Sequence, residues 1–384
     1  MKSNYSLTAS TFGNEEKEAM IKIIESGNFT MGSNVMRFEK LFARKFGSKY
    51  ALMVNSGSSA NLIAIASLFF KSNPLSKGDE VIVPAVSWST SYSPLQQYGL
   101  KLVFVDIDIK TLNYDLKKLK AAISDRTKMI LAVNILGNSN DFSEIKKIIG
   151  RQNIIIVEDN CESMGAKYKG KYTGSIGLLG TFSLFYSHHL CTMEGGVVLT
   201  NDKELYHIML SLRAHGWTRN LPSKNLLVKK SIDSFKESFR FILPGYNLRP
   251  LEISAAVGLE QLKKHDKFLL NRKNNASHFN SLFENDDRFL TQKQISESSW
   301  FGFSIILNKS DRREILKKLA KNKIEYRPVV SGNFTKNEAL KYFDYEIRGE
   351  LDSADILDKK GFFVGNHHND IKDQISFLHK ILTT

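Results

Sequence analysis

The chain has 384 residues, 42% of them hydrophobic and 24% charged, which is enough for a large buried core and for more than one ordinary domain. No apolar run approaches the ~18 residues of a membrane-spanning helix, and residues 1–10 lack the apolar centre of a signal peptide, so we expect a cytoplasmic protein without membrane contact. The two cysteines are too few for a disulfide framework, or for a four-cysteine zinc site or iron–sulfur cluster within one chain.

The net charge of +14 raises the question of a polyanionic partner. The basic residues are spread along the chain, however, and no nucleic-acid-binding module is recognisable. The charge therefore favours a small, phosphate-bearing substrate over nucleic acid.

The first half of the chain alternates short apolar segments with stretches of helical pattern. The apolar segments lie at residues 50–54, 80–83, 102–105, 128–133 and 153–157, and two more follow at 181–185 and 197–200. Near-continuous apolar strands separated by helices are typical of a parallel sheet that is covered on both faces. The sequence predicts an α/β fold with a mostly parallel, seven-stranded sheet.

The second half has a different organisation. Residues 217–246 form a long irregular stretch, and a long helical pattern begins after Pro250. A strand pattern at 300–307 and helical patterns at 311–321 and after residue 369 predict a small α+β unit. We expect a large domain at residues 1–250 and a small C-terminal domain, with its long connecting helix, at residues 251–384.

Polar residues follow several of the predicted strands, at the edge where open α/β sheets bind their ligands. The turn containing Gly57 and Ser58 leads into a helix and could hold a phosphate, although such a turn is also an ordinary N-cap. Trp88 could stack on a flat cofactor or belong to the core. Asp159 ends an apolar strand, where a carboxylate needs a cationic partner such as a protonated pyridine nitrogen.

Two pairs of adjacent histidines, at residues 188–189 and 367–368, suggest metal ligands. Neighbouring residues of an extended segment point to opposite faces, so neither pair is expected to hold one ion. No metal site is predicted.

Taken together, these motifs resemble the DegT/StrS, or sugar aminotransferase, family of fold-type I pyridoxal-phosphate (PLP) enzymes. The resemblance spans nearly the whole chain and includes residues 28–32, with Phe38 and Glu39 after them. It implies the aspartate aminotransferase-like fold, with a large PLP-binding domain and a smaller C-terminal one.

The resemblance also implies roles for individual residues. Asp159 would pair with the pyridine nitrogen and Trp88 would stack on the ring, while Glu162 stands where relatives often have a glutamine that contacts the ring hydroxyl. The residues matching the phosphate-binding positions are Gly57, Ser58, Ser183 and Asn247. The asparagine would come from a second subunit, which implies a homodimer with shared active sites.

The main departure from the family pattern is His188. It stands six residues before Glu194, where the cofactor-anchoring lysine is expected, and no lysine occurs between Tyr172 and Asp202. Imidazole cannot form the imine that a lysine forms with PLP, but it is a suitable acid and base near neutral pH. The cofactor would then be held noncovalently.

Within the family, a histidine here marks the sugar 3-dehydratases. One kind carries an iron–sulfur cluster on additional cysteines, which this chain lacks; the runs 187–189 and 212–217 resemble the cluster-free kind. The resemblance implies a pyridoxamine-phosphate (PMP)-dependent enzyme of deoxysugar and O-antigen biosynthesis. It would remove the C3 hydroxyl of GDP-4-keto-6-deoxy-D-mannose, with His188 as acid and base, and glutamate would regenerate PMP from PLP.

Substrate recognition is expected from arginines, whose planar forks match diphosphate and carboxylate groups. The candidates are Arg219, Arg249 and Arg327, each of which could equally be a solvated surface residue. His215 joins them because it lies in the matching run 212–217. No base-reading motif is legible, so the guanine nucleotide rests on the resemblance.

Two other interpretations remain open. A nucleotide-sugar 4-aminotransferase would need a lysine elsewhere, and the lysine-free segment around His188 argues against it. A catalytically silent binding or regulatory protein would have no need of an electron sink, so Asp159, Trp88 and Ser183 argue against that alternative.

Overall fold

A computed structural model of the protein describes residues 4–384. Strands and helices alternate between residues 50 and 159, as the sequence predicts. The helices are α1 (Asn14–Ser26), α2 (Ser33–Lys45), α3 (Gly57–Ser67), α4 (Ser89–Gln97), α5 (Leu116–Ala122), α6 (Phe142–Ile149), α7 (Lys203–Arg213), α8 (Ser234–Ser238), α9 (Glu252–Phe283), α10 (Arg312–Lys321), α11 (Asp352–Lys360) and α12 (Lys372–Thr383). The strands are β1 (Tyr50–Val54), β2 (Glu80–Pro84), β3 (Lys101–Val105), β4 (Thr127–Val133), β5 (Ile155–Asp159), β6 (Lys167–Tyr168), β7 (Lys171–Tyr172), β8 (Leu179–Ser183), β9 (Gly196–Thr200), β10 (Phe289–Thr291), β11 (Gly302–Leu307), β12 (Tyr326–Arg327), β13 (Tyr345–Ile347) and β14 (Gly361–Gly365).

The main sheet has eight strands in the order β1-β9-β8-β5-β4-β2-β3-β13. Strand β9 runs antiparallel to β1 and β8, and the remaining pairs are parallel. Every strand except β9 therefore runs in one direction. Their carboxyl ends meet at one edge of the sheet, where the candidate site lies.

The predicted sheet of seven strands was one strand short. All seven predicted strands are present, and β13 joins them by pairing Tyr345 with Leu102 on the edge of β3. An ion pair of 2.7 Å between Lys101 and Glu346 crosses this junction. A three-residue strand with a charged centre carries no periodic apolar signal, which is why the pattern of the sequence did not predict it.

Helices cover both faces of the main sheet. In β2, Val81 and Val83 pack into the core cluster that contains residues of α3, α4 and α7. Ile82, on the opposite face of the same strand, packs into the cluster that contains residues of α5 and α6. This alternation explains the near-continuous apolar strands, because both faces are buried.

A second, antiparallel sheet has the order β10-β11-β14-β12. It shares a core with α10, α12 and the C-terminal half of α9, in which the rings of Phe279 and Phe303 stack 4.2 Å apart. The domain division at residue 250 stays a prediction. Two segments pack with the part of the chain on the other side of this boundary. Tyr5 packs into this second core, and β13 belongs to the main sheet. Within residues 4–384, no helix is both long enough and apolar enough to cross a bilayer.

Candidate active site

The ends of β1 and β8 bring Gly57 and Ser183 into direct contact. A Cβ atom added to Gly57 would lie 2.6 Å from the Cβ of Ser183, so a larger residue would force the two apart. Between these strands, β9 begins at Gly196, where an added Cβ would lie 2.1 Å from the carbonyl oxygen of Ser56. Glycines at these two positions let three backbone segments close around one small volume.

This volume faces the N-terminus of α3, which starts at Gly57. The Oγ of Ser56 accepts a hydrogen bond of 3.0 Å from the backbone N–H of Ser59, so the turn is an N-cap, as one reading of the sequence predicted. By helix geometry, the N–H groups of Gly57 and Ser58 have no acceptor within α3. The exposed Ser58 hydroxyl, which lies 3.1 Å from Thr90 Oγ1, adds another donor. The turn can therefore be both the N-cap of α3 and an anion-binding site, and its hydrogen-bond donors suit a phosphate group.

Asp159 lies buried at the end of β5 and is fixed by three neutral donors. Its Oδ2 accepts hydrogen bonds from Ser91 Oγ at 2.7 Å and Asn61 Nδ2 at 3.0 Å, and its Oδ1 accepts one of 3.0 Å from the N–H of Cys161. The Thr181 hydroxyl in turn donates to the amide oxygen of Asn61 at 2.5 Å. The carboxylate is thus held rigidly but not neutralised, and it fits a protonated pyridine nitrogen.

Glu162 lies in the segment that follows β5. Its Oε2 accepts a hydrogen bond of 3.0 Å from the N–H of Leu136, which adopts a left-handed φ of 50°. Burial, together with the charge of Asp159, raises the pKa of Glu162 to about 7. Glu162 can therefore take its protonated form near neutral pH. A protonated carboxyl can donate a hydrogen bond as the glutamine of relatives does.

His188 lies in a turn after β8, with its backbone N–H bonded to the carbonyl of Phe185 at 2.9 Å. Its ring packs between Phe185 and Phe301, with centroid separations of 6.0 and 5.2 Å. Burial, and next the positive charge of Arg272, lower the pKa of His188 to about 4. The imidazole is therefore neutral at pH 7 and able to accept a proton.

The prediction that His188 and His189 lie on an extended segment was wrong, because the chain turns here. His189 is buried, its Nε2 lies 3.1 Å from the carbonyl of Ser299, and its ring also contacts Phe301. His189 therefore anchors the turn, and His188 is left to exchange protons. Among residues 4–384, no three His, Cys, Asp or Glu side chains converge as a metal site.

Trp88 is the N-cap residue of α4 and is 58% exposed. It is therefore not a core residue, as one reading of the sequence allowed. Its position directly after β2 places it at the same sheet edge as Asp159, and its open surface is available for a flat ring.

Four of the predicted residues form a second group, beside the phosphate cradle. His215, with a left-handed φ of 62°, donates its backbone N–H to Tyr246 at 2.6 Å, and Arg249 Nε donates to the Oδ1 of the exposed Asn247 at 2.9 Å. Arg219 lies over the ring of Trp217, which also contacts His215. A hydrogen bond of 3.1 Å from the backbone N–H of Asn55 to the carbonyl of Leu248 joins this group to the phosphate cradle.

Arg327 is separate from both groups in the contacts of the described residues. It lies exposed on β12 in the second sheet, opposite Phe363. Its assignment to substrate binding stays a prediction.

The sequence interpretation missed the residues that hold the site in place. Asn61 and Ser91 fix Asp159, and Phe301 and Arg272 surround His188. Asn61 had a usable signal: it is a polar residue in the apolar helix α3, one turn after Gly57 and on the same face. Arg272 had none, because one more basic residue in a long polar helix is unremarkable.

The fold and this site define a PLP-dependent enzyme. Residues 10–374 match the model of the DegT/DnrJ/EryC1/StrS aminotransferase family, and the chain belongs to that family. A solved structure from Helicobacter pylori, the aminotransferase PseC of pseudoaminic acid biosynthesis, has the same fold, with a TM-score of 0.87 at 24% identity over 100% of this chain and 98% of that one. The predicted fold class is confirmed, and PLP is the cofactor of the group.

Within the family, this chain is similar to sugar dehydratases. It is 58% identical to GDP-4-keto-6-deoxy-D-mannose 3-dehydratase of Yersinia pseudotuberculosis, over 99% of this chain and 98% of that protein. The enzyme of the same name from Escherichia coli O55:H7 is 55% identical, over 99% of each chain. A crystal structure of GDP-4-keto-6-deoxymannose-3-dehydratase with a trapped PLP-glutamate geminal diamine has a TM-score of 0.98 at 55% identity, over 99% of this chain and 100% of that one.

Proposed function

We propose that this protein is a PLP/PMP-dependent sugar 3-dehydratase that converts GDP-4-keto-6-deoxy-D-mannose into the 4-keto-3,6-dideoxy sugar. One observation carries the proposal: His188 stands in the position of the anchoring lysine, in a site that keeps a phosphate cradle and a carboxylate for the pyridine nitrogen. The similarity to the dehydratases of Yersinia and E. coli, at 58% and 55% identity, supports the substrate.

The residues of the chain divide the work between binding and proton transfer. When bound, PMP supplies an amine for the C4 ketone and a ring that accepts electrons. Asp159 would keep the proton on the pyridine nitrogen, and the cradle of Gly57, Ser58 and Ser183 would hold the phosphate. Trp88 would stack on the ring, and Glu162 would contact its hydroxyl.

His188 moves the proton. As a neutral imidazole it accepts the proton released during elimination. The imidazolium that results is disfavoured by its buried surroundings, so it readily returns the proton to the departing C3 oxygen. Lysine would instead favour reprotonation of the sugar C4, which is amination. Hydrolysis would release the 4-keto-3,6-dideoxy sugar and ammonia and leave PLP, from which glutamate would restore PMP.

The cofactor is proposed to be held noncovalently, since no lysine lies between residues 172 and 202. Borohydride treatment of the PLP complex is expected to leave no pyridoxyl-lysine in peptides analysed by mass spectrometry, because imidazole forms no reducible imine. A pyridoxyl-lysine in any peptide would contradict noncovalent binding. No iron–sulfur cluster is proposed, because Cys161 and Cys191 are the only cysteines of the chain.

A homodimer with shared sites is also proposed, with Asn247 reaching the phosphate of the partner's cofactor. The exposed position of Asn247 supports it, as do the large apolar side chains at and just before α8, of which Ile232 is 100% and Phe235 87% exposed. Exposed apolar groups of this size are typical of protein–protein contacts.

Subunit mixing tests this arrangement. Each proposed site takes His188 from one chain and Asn247 from the other. A His188→Asn chain refolded together with an Asn247→Ala chain is therefore expected to regain about a quarter of wild-type turnover, because half of the dimers then contain one intact site. The two variants refolded separately are the controls. No gain on mixing would show that both residues serve the same chain's site.

Substrate recognition is proposed for His215, Arg219, Arg249 and Arg327, which would contact the diphosphate of the nucleotide sugar or the carboxylate of glutamate. All of these reactants are water-soluble, and we place the reaction in the cytoplasm, as part of deoxysugar and O-antigen biosynthesis.

Product identification tests the function as a whole. The protein is incubated with PMP, glutamate and GDP-4-keto-6-deoxymannose, and the sugar is analysed by mass spectrometry and NMR. We expect loss of the C3 oxygen. A 4-amino sugar that retains this oxygen would establish the aminotransferase alternative. Unchanged substrate would favour a catalytically silent binding or regulatory protein.

A further inference from the structure

Arg272 is a buried cation whose partners are all backbone carbonyls. It lies in α9 with 3% of its surface exposed. Its Nη1 donates to the carbonyls of Phe301 at 3.2 Å, Trp300 at 3.5 Å and Asn366, and its buried Nε finds no acceptor among the described residues. Burial lowers the pKa of Arg272 to about 10, so the group stays charged at neutral pH. A buried charge without a carboxylate is costly, which calls for an explanation.

Two of the three carbonyls that Arg272 holds, those of Trp300 and Phe301, belong to a turn, residues 299–301, that other parts of the site also hold. Trp300 adopts a left-handed φ of 48° at its centre. The N–H of Phe301 donates to the carbonyl of Leu136 at 3.0 Å, and the carbonyl of Ser299 lies 3.1 Å from Nε2 of His189. The turn thus joins α9 to the segments that follow β4 and β8.

Phe301 is the point at which this turn meets His188. The centroid of its ring lies 5.2 Å from that of His188 and 5.7 Å from that of His189. Because Arg272 holds the carbonyl of Phe301 itself, a change at Arg272 moves the surface on which the imidazole rests.

The charged and titratable groups around this imidazole come from several elements. Arg272 lies in α9, as does His265, whose pKa burial lowers to about 4. His189 lies beside it, and His368, after β14, has its pKa lowered to about 4 by burial and by Arg272. The acids are Asp159, at the end of β5, and Glu162, after it; Leu136 separates Glu162 from Phe301, because its N–H donates to Glu162 and its carbonyl accepts from Phe301. Arg272 is therefore the cation that acts on His188, among histidines that are themselves neutral.

We propose that Arg272 is a positioning residue for proton exchange at His188, because it clamps the 299–301 turn that sets Phe301 against the imidazole. The charge of Arg272, which only backbone carbonyls contact, also disfavours the imidazolium. The inference rests on the proposed function for its chemical meaning. A disfavoured imidazolium is a ready donor, which suits a residue that must return its proton to the leaving hydroxyl within the same turnover.

A titration that needs no substrate tests whether the charge of Arg272 lowers the pKa of His188. The protein is labelled with ¹³C at histidine Cε1, and the His188 resonance is identified by its absence in His188→Asn. In Arg272→Gln, the midpoint of this resonance is expected to rise by about one pH unit, the scale of a nearby charge. Arg272→Lys, which keeps the charge, should stay close to wild type.

Arg312 offers a matched control, because its Nη1 also clamps two carbonyls, those of Asp358 and Gly361, in the second sheet. Arg312→Gln should not move the His188 midpoint. A folded Arg272→Gln protein with an unmoved midpoint would overturn the proposal. Since no sugar is present, this result is independent of whether the protein is a dehydratase.

The variant Phe301→Leu tests whether the 299–301 turn positions the His188 ring. It leaves Arg272 in place, so the proposal can still be tested if Arg272→Gln does not fold. We expect kcat for elimination to fall about tenfold or more with KM little changed, since only the orientation of the proton-transfer group is altered. The His188 midpoint should remain low. An unchanged kcat would show that the turn does not position the imidazole.

Discussion

Replacing His188 with asparagine is expected to slow C3 elimination by about 10²- to 10⁴-fold, the usual contribution of a positioned general acid–base group. Asparagine has a similar reach and can donate a hydrogen bond, but it cannot take up and release a proton near neutral pH. Single-turnover reactions with preformed PMP enzyme and substrate, quenched and analysed by mass spectrometry, measure the effect directly.

The same variant should bind PLP with nearly wild-type affinity, because the cradle at Gly57 and the carboxylate of Asp159 are not altered. His278→Asn is a suitable control, since that side chain is partly exposed and hydrogen-bonded to Ser376 Oγ at 2.8 Å, between α9 and α12. Turnover that survives in His188→Asn would remove this residue from the mechanism. Lost PLP binding would show instead that the imidazole is part of the cofactor's anchorage.

Asp159→Asn is the second substitution for which we expect a large effect. Its amide cannot neutralise a protonated pyridine nitrogen, and it presents an NH₂ group to a pocket whose fixed partners, Ser91 and Asn61, are donors. The loss of one partner of a buried charge pair costs on the order of 3–5 kcal/mol, or about 10²- to 5 × 10³-fold in rate if it falls on the transition state. The conversion of PLP to PMP by glutamate should slow accordingly, and its absorbance change gives the rate without any sugar.

A remote carboxylate provides the comparison. Asp311 caps α10, where its Oδ1 accepts hydrogen bonds from the N–H groups of Arg313 and Glu314, and Asp311→Asn keeps much of that role. It should leave the glutamate half-reaction unchanged. If Asp159→Asn were as fast as this control, the carboxylate would not act on the ring, and the assignment of the pyridine partner would be wrong.

The sequence predicted the parts of the fold that repeat and the residues that stand at the ends of strands. The strands of the main sheet are buried on both faces, so their apolar runs are long enough to read, and their order along the chain places Gly57, Asp159 and Ser183 at one edge. Strand β13 could not be read, because its three residues gain their conformation from pairing with β3.

The residues around His188 could not be predicted for a different reason. Arg272 and Phe301 lie 84 and 113 positions further along the chain, and they meet His188 only through the packing of α9 and the turn before β11. Such contacts leave no local pattern, since neither periodicity nor spacing records which distant segments touch. The lowered pKa of His188 is thus a property of the folded chain.

The antiparallel strand β9 separates the backbone that binds the phosphate from the segment that carries the reacting residue. Because Gly196 begins β9 between the ends of β1 and β8, the anion site is closed by backbone that lies beyond the reacting residue in the chain. The seven residues between Ser183 and Cys191 can then change their chemical character without weakening phosphate binding. In a site of this kind, the same bound cofactor can serve different reactions. Replacing lysine with histidine changes the reacting group while the phosphate-binding backbone stays the same.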